Sequence, residues 1–125
     1  MKFVDMNVQS KVSTGSSTAE ELAKTAEELG FDMLVVSDVW AGPEKFLAAK
    51  EAIDAARKNV GIDVVQGVKI VANNANELRH LVEKVRERVA VVAVAGGNYQ
   101  INRAACETSK VDLLCHPSLG RTDCG

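Results

Sequence analysis

Lys69, Arg103 and Arg121 are the cations whose places in this sequence suit them to hold something. An ammonium or guanidinium group at a strand end or in a strand-end loop can meet a phosphate oxygen through charge and short hydrogen bonds. Each also has a plainer reading. Lys69 can be a solvated charge, and Arg121, in Gly120-Arg121-Thr122-Asp123, can pair with Asp123 for ~0–1 kcal/mol. Arg103 falls in a helix's first turns, where a cation opposes the helix dipole and so needs some other reason to be present. His116 stands before Pro117, and one imidazole does not make a hydrolytic metal centre. Cys106, Cys115 and Cys124 are nine residues apart, without the close Cys-x-x-Cys spacing of structural zinc, and read as free thiols of a reducing compartment. Lys84, Arg86 and Arg88 interleave with Glu83 and Glu87, the pattern of a solvated helix face.

These residues are candidates because of the elements that carry them. Lys2 to Val8 alternates polar and apolar residues, as a short strand does, and Ser13 to Ser17 is a Ser/Thr/Gly loop. Ser17 with Glu20 makes a capping box for a helix whose apolar face is Leu22, Ala23, Ala26 and Leu29, and Gly30 ends it. Phe31 to Ser37 contains Met33-Leu34-Val35-Val36, a run suited to a strand covered on both faces in a parallel sheet. The pattern repeats with a helix from Pro43 to about Lys58, a strand over Val64 to Val71, and a helix capped by Asn74 or Asn76. It continues with a strand over Val89 to Ala95, a helix over Asn98 to Thr108 and a strand over Val111 to Cys115.

Strand and helix alternating at this spacing predict parallel βα units, about five strands and four helices in one domain over residues 1–125. An open doubly wound sheet and the first part of a β/α barrel, which takes about 250 residues, both fit the pattern. In either, functional side chains belong at the C-terminal strand ends: Asp5, Asn7 and Gln9, then Ser37 and Asp38, Lys69 and Asn73, Gly96 to Asn98, and His116 with Arg121.

The chain is 46% hydrophobic, 26% charged and 4% aromatic, an ordinary aliphatic globular composition. Its formal charge of −2 gives no global attraction for nucleic acid, so any RNA contact must rest on a local patch. No run approaches the roughly 18 to 20 apolar residues of a membrane helix, and Asp5 falls where a signal peptide would be apolar, so a cytoplasmic protein without membrane contact is expected.

Asp5-Met6-Asn7-Val8-Gln9, Ser13-Thr14-Gly15, Gly30-Phe31-Asp32, Ser37-Asp38-Val39, Gly67-Val68-Lys69 and Cys115-His116-Pro117 resemble the signature of the PHP family, metal-dependent phosphoesterases on a distorted barrel. That signature reads Asp-x-His-x-His, Ser-Asp-Gly, Thr-Asp-His, Gly-x-Glu and a ligand histidine before proline. Set against it, the ligand positions fall on Asn7, Gln9, Thr14, Val39 and Lys69, and His116 alone keeps its type. Amides, a hydroxyl and an isopropyl group are poor or impossible ligands for zinc or manganese, and an ammonium repels a divalent cation. A PHP-type phosphoesterase with a degenerate metal site is the alternative reading; a small-molecule-binding barrel has no aromatic cluster or glycine-rich phosphate motif behind it.

Met1 to Val8, Leu29-Gly30-Phe31-Asp32, Asn102-Arg103-Ala104-Ala105 and above all His116 to Gly125 are similar to a narrower, metal-free family. It is the protein component 3 family of archaeal ribonuclease P, whose eukaryotic counterpart is the thirty-kilodalton subunit. The resemblance implies a truncated TIM-like, PHP-type β/α barrel, and in such a piece the first and fifth strands are sheet edges unless something covers them. It also implies a protein that supports the catalytic RNA in removing the 5′ leader of precursor tRNA, with a small ferredoxin-like partner subunit. No catalytic residue and no cofactor of this chain is expected; magnesium is expected on the partner RNA. Lys69, Arg103 and Arg121 are the candidate RNA contacts.

Overall fold

The computed structural model describes the backbone of residues 4–10, 12, 15, 17–96, 98–118 and 121–123, and the side chains of those from 8 to 114. β1 (Val4–Val8) is followed by α1 (Ala19–Glu28), β2 (Met33–Val39), α2 (Pro43–Arg57) and β3 (Asp63–Val71). Then come α3 (Ala75–Val85), a 3-10 turn over Arg86–Arg88, β4 (Val91–Ala95), α4 (Tyr99–Glu107), β5 (Leu113–Ser118) and β6 (Arg121–Asp123). The helix starts follow from local chemistry. Asn74 and Asn98 accept the amides of Glu77 and Ile101, satisfying donors that the first turns of α3 and α4 leave open. Pro43 opens α2, where a missing N–H costs nothing. The first helix begins one residue later than the sequence suggests: Thr18, not Ser17, accepts the Glu21 amide. Ser17/Glu20 and Thr18/Glu21 have the same spacing, and only the path of the preceding loop chooses between them. Gly30, at φ 87°, ends α1 in the left-handed region that glycine enters without strain.

The sheet runs β1-β2-β3-β4-β5-β6, with β1 to β5 parallel and β6 antiparallel to β5. This order settles the choice left open by the pattern, because a doubly wound sheet reverses its strand order at a switch point and this one never does. Register assigns the faces. Leu34, Val36 and Val64 pack against Ala19, Ala23 and Ala26 of α1 and Ile53 and Ala56 of α2. Val68, Ile70, Val92 and Val94, on the same side, pack against Leu78, Val82 and Val85 of α3 and Ile101, Ala104 and Ala105 of α4. All four helices thus cover one face, as in the first part of a TIM-like β/α barrel. β6 is an addition to the expected elements, and it pairs along β5 so that β5 is not an edge. Among the described residues, β1 and β6 are the outer strands.

The reading of residues 83–88 as a solvated face is corrected in part. Arg86 is turned inward: its Nη1 donates to the Lys110 carbonyl at 2.9 Å and to Asp112 Oδ2 at 2.6 Å, and its Nη2 to the carbonyls of Val89 and Ala90 at 3.1 and 2.8 Å. Asp112 also accepts the Val92 amide at 2.8 Å, so one arginine and one carboxylate tie the loop before β4 to the loop before β5. Lys84 lies over the Trp40 ring, 5.5 Å from its centre, and Glu83 pairs with Lys110 at 2.5 Å. Arg88 is exposed.

Candidate functional site

The face of the sheet away from the helices carries Ser37, Val39 and Lys69. Register puts Ser37 beside Gly67, Val39 beside Lys69, and Lys69 beside Ala93. Ser37 is fully buried, its Oγ has no hydrogen-bond partner among the described residues, and a Cβ on Gly67 would collide with that oxygen. Gly67 is therefore the residue that lets the Ser37 hydroxyl fit, and the hydroxyl remains unpaired at a cost of about 1–3 kcal/mol. One layer nearer the strand ends, Lys69 is half-buried between Val39 and Ala93, and no carboxylate of a described residue pairs with it.

Asp38 faces the other way and builds the loop that borders this site. It is 6% exposed, and its Oδ1 and Oδ2 accept the Ser10 amide at 2.6 Å and the Ser10 hydroxyl at 2.7 Å. The Gly15 amide in turn donates to the Ser10 carbonyl at 2.9 Å, so the loop after β1 is folded back onto the end of β2. Gly15 fits because it lacks a Cβ, which would collide with the Gln9 carbonyl. Gln9 is half-buried at the foot of that loop. At the end of β4 a similar fit occurs: a Cβ on Gly96 would strike the Asn102 amide oxygen, which reaches back from α4 and is buried without a partner among the described residues. Neither the Ser10–Asp38 tie nor the Gly96–Asn102 contact was among the sequence-based candidates. The short polar run at 9–18 and a glycine at a strand end were the signals available.

Of the other candidates, Arg103 lies on the exposed side of α4 and its Nε donates to Glu107 Oε1 at 2.7 Å. That bond, the Glu107 charge and a hydrogen bond with Tyr99 hold its guanidinium even more firmly protonated than usual. Glu107 is thus the reason a cation is tolerated near the start of α4. Asn7 lies on β1, His116 on β5 and Arg121 on β6, where His116 stands opposite Asp123 and Arg121 opposite Ser118; their side chains, and Thr14 as a whole, lie outside the described residues. Among the described residues no three His, Cys, Asp or Glu side chains converge. Gln9, Val39 and Lys69 do not fit a divalent cation, since they bring one neutral amide, no ligand and a positive charge to it. Cys106 is a free, exposed thiol. Among the described residues, no helix is long and apolar enough to cross a membrane.

The chain resembles a set of known proteins along its length. The family described as RNase P subunit p30 matches residues 2–125. Ribonuclease P protein component 3 of Methanococcoides burtonii is 39% identical over 117 residues, 92% of this chain and 44% of that protein. The protein of the same name in Methanothermobacter thermautotrophicus is 33% identical over 128 residues, all of this chain and 50% of that protein. A chain in a cryo-EM structure of archaeal ribonuclease P with mature tRNA superposes with a TM-score of 0.70 at 31% identity, over 94% of this chain and 47% of that one. This chain spans about half the length of the curated relatives it matches. A family match over residues 2–125, joined to a fold shared with a chain of archaeal ribonuclease P, makes the chain a member of the RNase P subunit p30 family.

Proposed function

We propose that this chain acts as a protein subunit of ribonuclease P, in the cytoplasm, supporting the catalytic RNA as it removes the 5′ leader of precursor tRNA. The observation that carries this reading is the fold shared with a chain in an archaeal ribonuclease P structure. The site agrees with it: where a PHP phosphoesterase carries carboxylate and imidazole, this chain brings Lys69 and Val39 side by side, which suits holding an RNA phosphate and not activating a water. Magnesium held by the RNA supplies the hydrolytic chemistry. The chain's own residues position phosphates at Lys69, Arg103 and Arg121 and bring no acid, base or metal to the cleavage. A small ferredoxin-like subunit completes the set of partners.

Equilibrium binding of ribonuclease P RNA against an unrelated RNA of equal length tests the reading. A clear preference for the former is expected. Equal affinity for the two would remove it. Hydrolysis of a simple phosphoester by the chain with added manganese would favour the phosphoesterase alternative.

A further inference from the structure

A cleft of about 220 Å³ opens at the N-terminal ends of β3 and β4, away from the strand ends that carry Lys69. Lys50, Arg57 and Arg88 line it together with one carboxylate, Asp54. The excess of cations is local. The chain as a whole is at −2; in one cleft between α3 and α4 Arg79 is outnumbered by Glu83 and Glu107, and in the other Arg79 and Arg103 stand with Glu107, which pairs with Arg103.

The three cations are held differently. Arg57 is fixed, its Nε donating to the Val64 carbonyl at 2.6 Å and its Nη1 to Asp54 Oδ1 at 2.7 Å, which leaves Nη2 for a ligand. Lys50 shares the same carboxylate at 3.4 Å, a distance at which its ammonium keeps most of its hydration. Arg88 is exposed and has no carboxylate partner among the described residues. Ile53, Val65 and Val89 contribute the apolar part of the lining, and no aromatic ring lines it. A base would find nothing to stack on there, whereas a phosphate would find one oriented guanidinium and two mobile charges. At this end of a β/α barrel, residues usually serve stability, yet Lys50 contributes only an exposed ion pair to Asp54, and Arg88 has no carboxylate partner among the described residues.

We propose that this cleft is a second, sequence-independent contact for RNA, in which Lys50, Arg57 and Arg88 hold backbone phosphates. The inference rests on the ribonuclease P reading but concerns a different end of the molecule. Lys50→Ala and Arg88→Ala are the informative changes, because both side chains are exposed and neither supports the core; Arg57 also holds the Val64 carbonyl. Binding of ribonuclease P RNA to the chain is measured across a salt series, with circular dichroism confirming that each variant is folded. Each substitution is expected to weaken binding roughly fivefold and to lower the slope of log affinity against log salt by about 0.7 to 0.9, one phosphate contact's worth. An unrelated RNA should lose the same factor.

If the double variant keeps wild-type affinity and slope while the preference for ribonuclease P RNA persists, the cleft is not an RNA contact and the functional reading stands. If the wild-type chain shows no preference while both substitutions still lower affinity and slope for either RNA, the functional reading falls and the cleft stands as a sequence-independent contact. Anionic phospholipid vesicles that bind through Lys50 and Arg88, with RNA binding untouched, would also overturn the proposal.

Discussion

Arg86 puts four hydrogen bonds into one place, three of them to the carbonyls of Val89, Ala90 and Lys110. With a side chain 22% exposed, it satisfies the part-buried carbonyls of Lys110 and Val89, and this should matter more than its ion pair to Asp112, which is 40% exposed and screened. Arg86→Ala is expected to lower stability by about 2 kcal/mol in urea unfolding, and Arg86→Lys, whose ammonium cannot span the same acceptors, by nearly as much. The pair also makes stability depend on pH. Burial works to raise the Asp112 pKa, but the Val92 amide and the hydrogen bond and charge of Arg86 outweigh it and hold the carboxyl below its usual value of 3.8. A depressed folded-state pKa contributes stability above the unfolded value, and that stability is lost as pH falls through the folded one. Asp112→Asn should therefore be less stable than wild type at neutral pH, and the gap should close as the pH is lowered below about 4. A gap that stayed constant down to pH 2 would mean that Asp112 titrates alike in both states.

At the scale of elements, close approaches between strands decide which residues can stand where. A Cβ on Gly67 would meet Ser37 Oγ and come within 3.1 Å of both Val35 Cγ1 and the Val91 carbonyl. Gly67→Ala is expected to destabilise the fold by about 1–3 kcal/mol, the range for overpacking a tight core. Ser37→Ala in the same chain should recover part of that loss, because it removes the nearest obstacle and an unpaired hydroxyl together. Additive losses measured by thermal or urea unfolding would show that the Ser37 hydroxyl is not what Gly67 accommodates. How much of this was readable beforehand follows from the range of each interaction. The strand–helix alternation, Pro43, Gly30 and the Asn98 cap are local signals, and they placed the elements. The α1 start was displaced by one residue because two capping boxes overlap, and β6 was not seen because Arg121, Thr122 and Asp123 show no apolar alternation. The inward turn of Arg86 to Lys110 and Asp112, the tie of Asp38 to Ser10 and the reach of Asn102 to Gly96 were not legible, because these partners stand 24 and 26, 28 and six residues away, where no periodicity points.

For the molecule as a whole, the distribution of charge bears on its work more than the net value does. A chain at −2 binds a polyanion only where cations are concentrated, and the sheet offers Lys69 at the C-terminal ends of its strands with Val39 and Ala93 beside it. Neither neighbour brings a metal ligand to the ammonium. In reconstituted ribonuclease P, Lys69→Ala is therefore expected to weaken assembly with the RNA roughly fivefold and to flatten its salt dependence by about one phosphate contact. Lys69→Glu should weaken it further, because a carboxylate repels phosphate, yet it should not create a metal site, since Gln9 and Val39 remain. Cleavage of precursor tRNA at saturating protein and magnesium should survive both changes, as a positioning residue affects how much complex forms and not how fast the complex reacts. A Lys69→Ala enzyme that assembled normally but lost the chemical step by several orders of magnitude would place this ammonium at the reacting phosphate, and the supporting role assigned to the chain would have to be given up.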